Sequence, residues 1–153
     1  MMRTAHPNLT AVAIRGGGVI IEGPPGTGKS ALALALIDRG ASLIGDDGLE
    51  LSVEAGRIVA HPPGKTSGKI EIRNVGLVSL PCTSALVALI LSLTEDAPRF
   101  ADRTESRILL GCSIPAIAFR AGDAVQAIRA EYALLKYGLP PNPLGSNLRT
   151  DIA

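Results

Sequence analysis

The eight residues Gly23-Pro24-Pro25-Gly26-Thr27-Gly28-Lys29-Ser30 meet the pattern G-x-x-x-x-G-K-[ST] in full. Such a loop takes phosphate. Small residues let its backbone curl until several N–H groups point at one anion, and a helix starting at its end adds the positive end of its dipole. Lys29 would reach the β- and γ-phosphates of a nucleoside triphosphate, and the Ser30 hydroxyl would ligate Mg²⁺. A glycine-rich turn that holds nothing is the alternative. A strand before the loop and a helix after it disfavour that alternative.

Two carboxylates, Asp46 and Asp47, follow Lys29 by 17 and 18 residues. At the end of the next strand they face the loop if the two strands are neighbours. One can then hold a metal's water shell, and the other can take the proton of an attacking hydroxyl. Read alone, Asp46-Asp47-Gly48 is also a plausible solvated turn. Glu71 and Arg73 lie two apart in a strand-like stretch and so share a side. On their own they read better as a salt-bridged surface strand.

The elements that must position these groups are short. Residues 10–14 and 18–22 are apolar runs joined by Arg15-Gly16-Gly17, a tight hairpin that leads into the loop. Residues 30–39, rich in Ala and Leu and stopped by Gly40, predict a helix. Strands are expected at 41–44, 49–53, 57–60, 69–73, 77–80, 107–110 and 114–119, with a hairpin at Glu54-Ala55-Gly56. The run 85–93 fits a buried strand better than a helix, although its period does not decide. Residues 95–106 read as a charged surface loop. Asp123 is expected to cap a helix running to Tyr137, with Val125, Ile128, Tyr132 and Leu135 as its apolar stripe. The fold class expected is therefore α/β: a mixed sheet carrying a P-loop, with several short strands and hairpins and few helices. Nucleoside kinases of the doubly wound type alternate strand and helix throughout and do not fit.

Composition narrows the class. A chain of 153 residues suits one domain, and 46% hydrophobic residues with 3% aromatics and no Trp predict an aliphatic core. The net charge is +1 with no basic cluster, which argues against nucleic acid and against an acidic membrane. Cys82 and Cys112 belong to no CxxC pair and read as buried reduced thiols rather than as a disulfide or zinc ligands. Residues 1–18 lack a signal-peptide apolar stretch, and no run reaches membrane-spanning length, so a cytoplasmic protein is expected. Residues 1–138 form the expected P-loop domain, and 139–153 a flexible or docking tail.

Taken together, residues 18–41 (GVIIEGPPGTGKSALALALIDRGA), 43–47 (LIGDD) and 69–81 (KIEIRNVGLVSLP) make the chain resemble the catalytic domain of HPr kinase/phosphorylase. The likeness runs from about residue 8 to 136 and leaves out the family's N-terminal domain, implying a short form. It implies an ATP- and Mg²⁺-dependent kinase that phosphorylates a serine of an HPr-like phosphocarrier protein and can reverse that reaction, as a hexamer. It also implies roles. Lys29 and the loop bind ATP, Ser30 and Glu71 ligate Mg²⁺, Asp47 is the acid/base and Asp46 supports the metal. Arg73 belongs to the family's signature stretch, and Arg99 matches its later catalytic arginine, with Arg103 and Arg107 as rivals. Three positions depart from the pattern. Asn8 stands where the family has a functional His, with His6 two residues away. Asn74 replaces a Gly, and Ala116 stands where a Lys linked to the reverse reaction is found. A regulatory module that binds nucleotide without turnover, or a small-molecule kinase on the same core, are the alternative readings.

Overall fold

The computed structural model describes residues 2–64 and 67–140. In chain order these form β1 (Thr4–Pro7), β2 (Thr10–Ile14), β3 (Gly17–Glu22), α1 (Lys29–Asp38), β4 (Ser42–Gly45), β5 (Gly48–Glu54), β6 (Arg57–His61), β7 (Lys69–Ile72), β8 (Gly76–Ser79), β9 (Ala85–Leu93), β10 (Glu105–Leu109), β11 (Cys112–Phe119) and α2 (Gln126–Tyr137). The main sheet runs β1-β5-β6-β9-β3-β2-β4, with β11 added beside β9 and β10 beside β11. β7 and β8 pair only with each other. The expected mixed sheet with few helices is what forms.

Within the sheet β3, β9 and β11 are parallel, and their last residues are Glu22, Leu93 and Phe119. Carboxyl ends of parallel strands are where open α/β sheets bind ligands, and the loop after β3 lies at this edge.

Both faces of the central strands are buried. One face carries Val12, Ile14, Val19, Ile21, Leu89 and Leu91 against Leu32 and Leu36 of α1 and Ala130 of α2. The other carries Ala11, Ala13, Ile20, Ile90, Leu49 and Leu51, where the curled sheet closes on itself. Each fully buried Leu or Ile contributes about 1.5–3 kcal/mol relative to exposure. Two buried faces explain why β9 reads as an unbroken apolar run instead of an alternating one. Val87 and Leu89 lie on opposite faces although they are two residues apart. The cause is an irregularity in the β3–β9 register, where Gly18 pairs with Val87 and Val19 with Leu89.

β9 meets β6 only at Ala85 and Leu86, and β11 only from Ile90 onward. The carbonyls between those contacts are taken by other groups. Arg57 donates to Val87 O at 3.2 Å, and Leu139 N donates to Ala88 O at 3.0 Å. Arg57 also donates to Pro140 O at 2.8 Å, so the start of the expected tail docks on the sheet. Residues 141–153 lie outside those described.

Four expectations are corrected. Residues 4–7, given no element by the sequence, form β1, a short edge strand carrying His6 and ending at Pro7, and proline is tolerated at an edge. Arg73 falls in the β7–β8 turn, so strand alternation does not place it beside Glu71. Asp123 does not cap α2, whose N-cap is Val125, and the stripe Val125, Ile128, Tyr132 and Leu135 faces outward, at 48, 37, 67 and 61% exposure. The buried stripe is Ala127, Ala130 and Ala133, with Leu134 and Tyr137 packed beside it. Both stripes have helical spacing, but small side chains let the helix lie closer to the sheet. The cysteines are half-buried rather than buried, Cys82 bridged to Leu43 and Cys112 opening β11.

Candidate active site

The loop at residues 23–30 bridges β3 and α1. Gly26 (φ 82°) and Gly28 (φ 99°) both adopt left-handed backbone, which curls the chain around a central hollow. Thr27 closes the curl through Oγ1 and N, both donating to Pro24 O at 2.7 and 3.3 Å. Gly28 is the N-cap, and Leu32 N is the donor that reaches back to its carbonyl. The N–H groups of Lys29, Ser30 and Ala31 therefore point ahead of the helix, where an anion can accept them. Lys29 Nζ lies across the loop, donating to Gly23 O at 2.5 Å.

β4 lies beside β2, and its end brings Asp46 to the loop. Ser30 Oγ donates to Asp46 Oδ1 at 2.6 Å. Thr10 Oγ1 donates to the same oxygen at 3.1 Å and accepts from Asp47 N at 3.2 Å. Thr10 is fully buried and is the residue that ties the aspartates to β2. Sequence reasoning gave it no role; the signal was a lone hydroxyl opening an otherwise aliphatic strand. The turn is tight: a Cβ at Gly45 would run into Gly48 O and the Leu49 side chain. Asp47 is exposed at φ 59°, and its carbonyl accepts from Asn8 N at 3.3 Å. Asn8 thus adjoins the site through its backbone. His6 does not swing in: it is held in β1 opposite Leu49, 2.9 Å from Thr4 Oγ1.

Glu71 reaches the site through its main chain, N donating to Asp46 Oδ2 at 3.4 Å, while its side chain is exposed. Among the described residues no set of three His, Cys, Asp or Glu side chains converges to cage a metal. Ser30 and Asp46 offer one hydroxyl and one carboxylate, hard oxygens of the kind that hold Mg²⁺ when phosphate oxygens and water complete its shell. That donor set fits the ion.

The arginines separate clearly. Arg99 stacks over Phe100, 5.7 Å to the ring centroid, and lines a side depression rather than the cleft above the loop. Arg103 is exposed. Arg107 is fixed next to the loop, its NH1 2.6 Å from Oε1 of Glu22, the residue preceding Gly23. Burial pushes the Glu22 carboxyl up, but hydrogen bonds from Arg107 and Ser92 and the Arg107 charge outweigh it and hold the group below its ordinary value. Glu22 in turn raises Arg107.

Ala116 is buried within β11, opposite Ile90. The cation of that region is Arg120, just past the end of β11. With Gly26, Thr27, Thr94, Gly122 and Asp123 it lines a cleft of about 720 Å³ over the loop. Arg129 holds the 120–123 turn, donating to Arg120 O at 2.6 Å, pairing with Asp123 at 3.1 Å and stacking on Phe119 at 4.6 Å.

Comparison with known proteins adds the following. The family model described as HPr Serine kinase C-terminal domain matches residues 2–84. The HPr kinase/phosphorylase of Clostridium tetani is 35% identical over 79 residues, which is 52% of this chain and 26% of that protein. That of Bordetella pertussis is 46% identical over 68 residues, 44% of this chain and 22% of that one. The chain thus spans about a quarter of the length of the curated relatives it matches. The solved HPr(Ser) kinase/phosphatase from Coxiella burnetii superimposes with a TM-score of 0.71 at 27% identity, covering 87% of this chain and 93% of that one.

Proposed function

The chain belongs to the HPr serine kinase C-terminal domain family, and on that premise we propose that it is an ATP- and Mg²⁺-dependent protein serine kinase. Its acceptor is an HPr-like phosphocarrier protein, and it works in the cytoplasm as a homo-oligomer, a hexamer by family likeness. Among the described residues no helix is long and apolar enough to cross a membrane.

The observation that carries this reading is the Ser30–Asp46 contact of 2.6 Å, which ties the loop's metal-side hydroxyl to the aspartate pair. Loop N–H groups and Lys29 hold the triphosphate. Mg²⁺, when bound, neutralises charge on the terminal phosphates beside Ser30 and Asp46. Asp47, exposed at the rim, accepts the proton as the acceptor serine oxygen bonds to the γ-phosphorus and the bond to ADP breaks. Arg107 and Glu22 fix the loop's first residue, and Arg120 adds a cation above it. Arg99, beside Phe100, and Arg73, in the β7–β8 turn, are given no part in the proton transfer.

The reverse reaction is proposed to be weak. Asn8 cannot carry a proton, and His6 is engaged in β1. Ala116, where the resemblance places a Lys, offers no cation either.

The test is incubation with Mg-ATP and an HPr-like phosphocarrier, followed by a search for phosphoserine, with Lys29→Ala as control. Phosphoserine formed by the wild type and lost with Lys29→Ala supports the assignment. ATP binding that is unchanged by Lys29→Ala would show the loop assignment to be wrong.

A further inference from the structure

The sequence has four aromatic residues, two Phe, two Tyr and no Trp. Phe100, Phe119, Tyr132 and Tyr137 all line one depression of about 600 Å³, formed by the segment 97–101, β11 and α2. An aliphatic core elsewhere has no need of them. Two of the four are structural: Phe119 is 5% exposed beneath Arg129, and the Tyr137 hydroxyl donates to Ala101 O at 2.5 Å, drawing the segment onto α2. The other two are not. Phe100 and Tyr132 come from different elements and are 71% and 67% exposed. Arg99 and Lys136 line the same depression, Arg99 stacked on Phe100.

This depression and the cleft above the phosphate loop share Arg120 and Asp123 in their linings. The loop also gives the ligand a direction. Ser30 and the aspartates mark the terminal-phosphate side, next to β4. The rest of the molecule must leave on the other side, where β9 and β11 end and the shared cleft opens. A planar, electron-rich base finds there two accessible rings and stacked arginine, the chemistry that recognises nucleobases.

We propose that the depression between Phe100 and Tyr132 receives the nucleoside half of the triphosphate held by the loop, with Arg120 as the cation between base and phosphates. The proposal rests on the nucleotide-binding reading above. Cavities of these sizes suit a ligand of that bulk. Phe100 and Tyr132 then set affinity for nucleoside triphosphate over bare polyphosphate, a division of labour separate from that of Lys29.

Calorimetry with two ligands, ATP and inorganic tripolyphosphate, tests it on the wild type, Phe100→Ala and Tyr132→Ala. Both side chains are exposed, so the variants fold. The expected result is about tenfold weaker ATP binding in each variant with tripolyphosphate affinity unchanged. ATP affinity within about twofold of wild type in both variants would overturn the proposal. Equal weakening of both ligands would overturn it too, since the rings would then be supporting the loop. If ATP affinity holds while phosphorylation of the acceptor protein falls, the face docks protein and the proposal is wrong. Lys29→Ala separates this from the underlying reading: it should weaken both ligands, and its failure to weaken either would remove the loop assignment itself.

Discussion

Asp47 has φ 59°, a left-handed conformation that Asp and Asn tolerate better than other side chains. The backbone holds it there through Thr10 Oγ1 on its N–H and Asn8 N–H on its carbonyl, leaving the carboxylate free at the rim. Function at this scale depends on small hydrogen-bond sets, and a second such set has no part in the proposed chemistry. His61 is buried in β6, with Nε2 2.8 Å from Ser52 Oγ and Nδ1 2.9 Å from Ser84 Oγ. Burial, helped by the charge of Arg3 and opposed by Glu54 and Glu50, lowers its pKa below 6.5. A folded-state pKa below the unfolded one means that the unfolded chain binds the proton more readily. His61 therefore supports stability fully above 6.5 and less as pH falls through its folded value. Urea unfolding from about pH 7 to 5 should show stability falling, and His61→Gln should flatten that slope. An unchanged slope would remove His61 as its source. Of the site, the loop and the aspartate pair were legible because their residue types and spacing carry the chemistry. Thr10 was not, because one hydroxyl in an apolar strand has no meaning until β2 is known to lie beside β4.

The elements decide which basic residues come near the loop. Spacing along the chain cannot rank Arg99, Arg103 and Arg107, because the ranking depends on β10 pairing with β11, which brings Arg107 to Glu22. The same limit hid Arg120, which lines the cleft over the loop only because β11 runs parallel to β9 and ends there. Strand existence was largely legible from turn residues and β-branched runs. The orientation of α2 was not, since its alanine and large-residue stripes have the same period and the alanines won by close approach. Arg57 shows how an element boundary is held. It covers Val87 O, a backbone carbonyl left by β6 and not yet reached by β11. Arg57→Met keeps the apolar stem and removes the donor, so denaturant unfolding should show a loss of about 1–3 kcal/mol. A loss below about 0.5 kcal/mol, the level of ordinary surface changes, would mean that water or Leu139 suffices there.

For the molecule as a whole, the central strands of the nine-stranded sheet are buried on both faces, whereas β7 and β8 form a separate two-stranded ribbon. Ile70 anchors it to the core, but Val75 and Leu77 at its turn are each 71% exposed. Even with Ile72 and Val78 packed beside Ile70, a two-stranded ribbon opens more readily than a central sheet. Amide hydrogen exchange should be faster in β7–β8 than in β2, β3 and β9, and Mg-ATP should slow it, because Glu71 N meets Asp46 beside the loop. Equal protection in both regions would make the ribbon part of the rigid frame.

In the proposed reaction the loop binds nucleotide while Asp47 takes the proton of the acceptor serine. Asn accepts the same left-handed backbone, so Asp47→Asn removes the base and leaves the turn. The direct test is the single-turnover rate of phosphoryl transfer from Mg-ATP to an HPr-like protein by Asp47→Asn and wild type, with ATP affinity measured on both. Unchanged affinity and a rate lower by about 10²–10⁴-fold are expected. A variant that binds ATP normally and keeps about half the wild-type rate would contradict this role of Asp47, because a general base contributes far more than that.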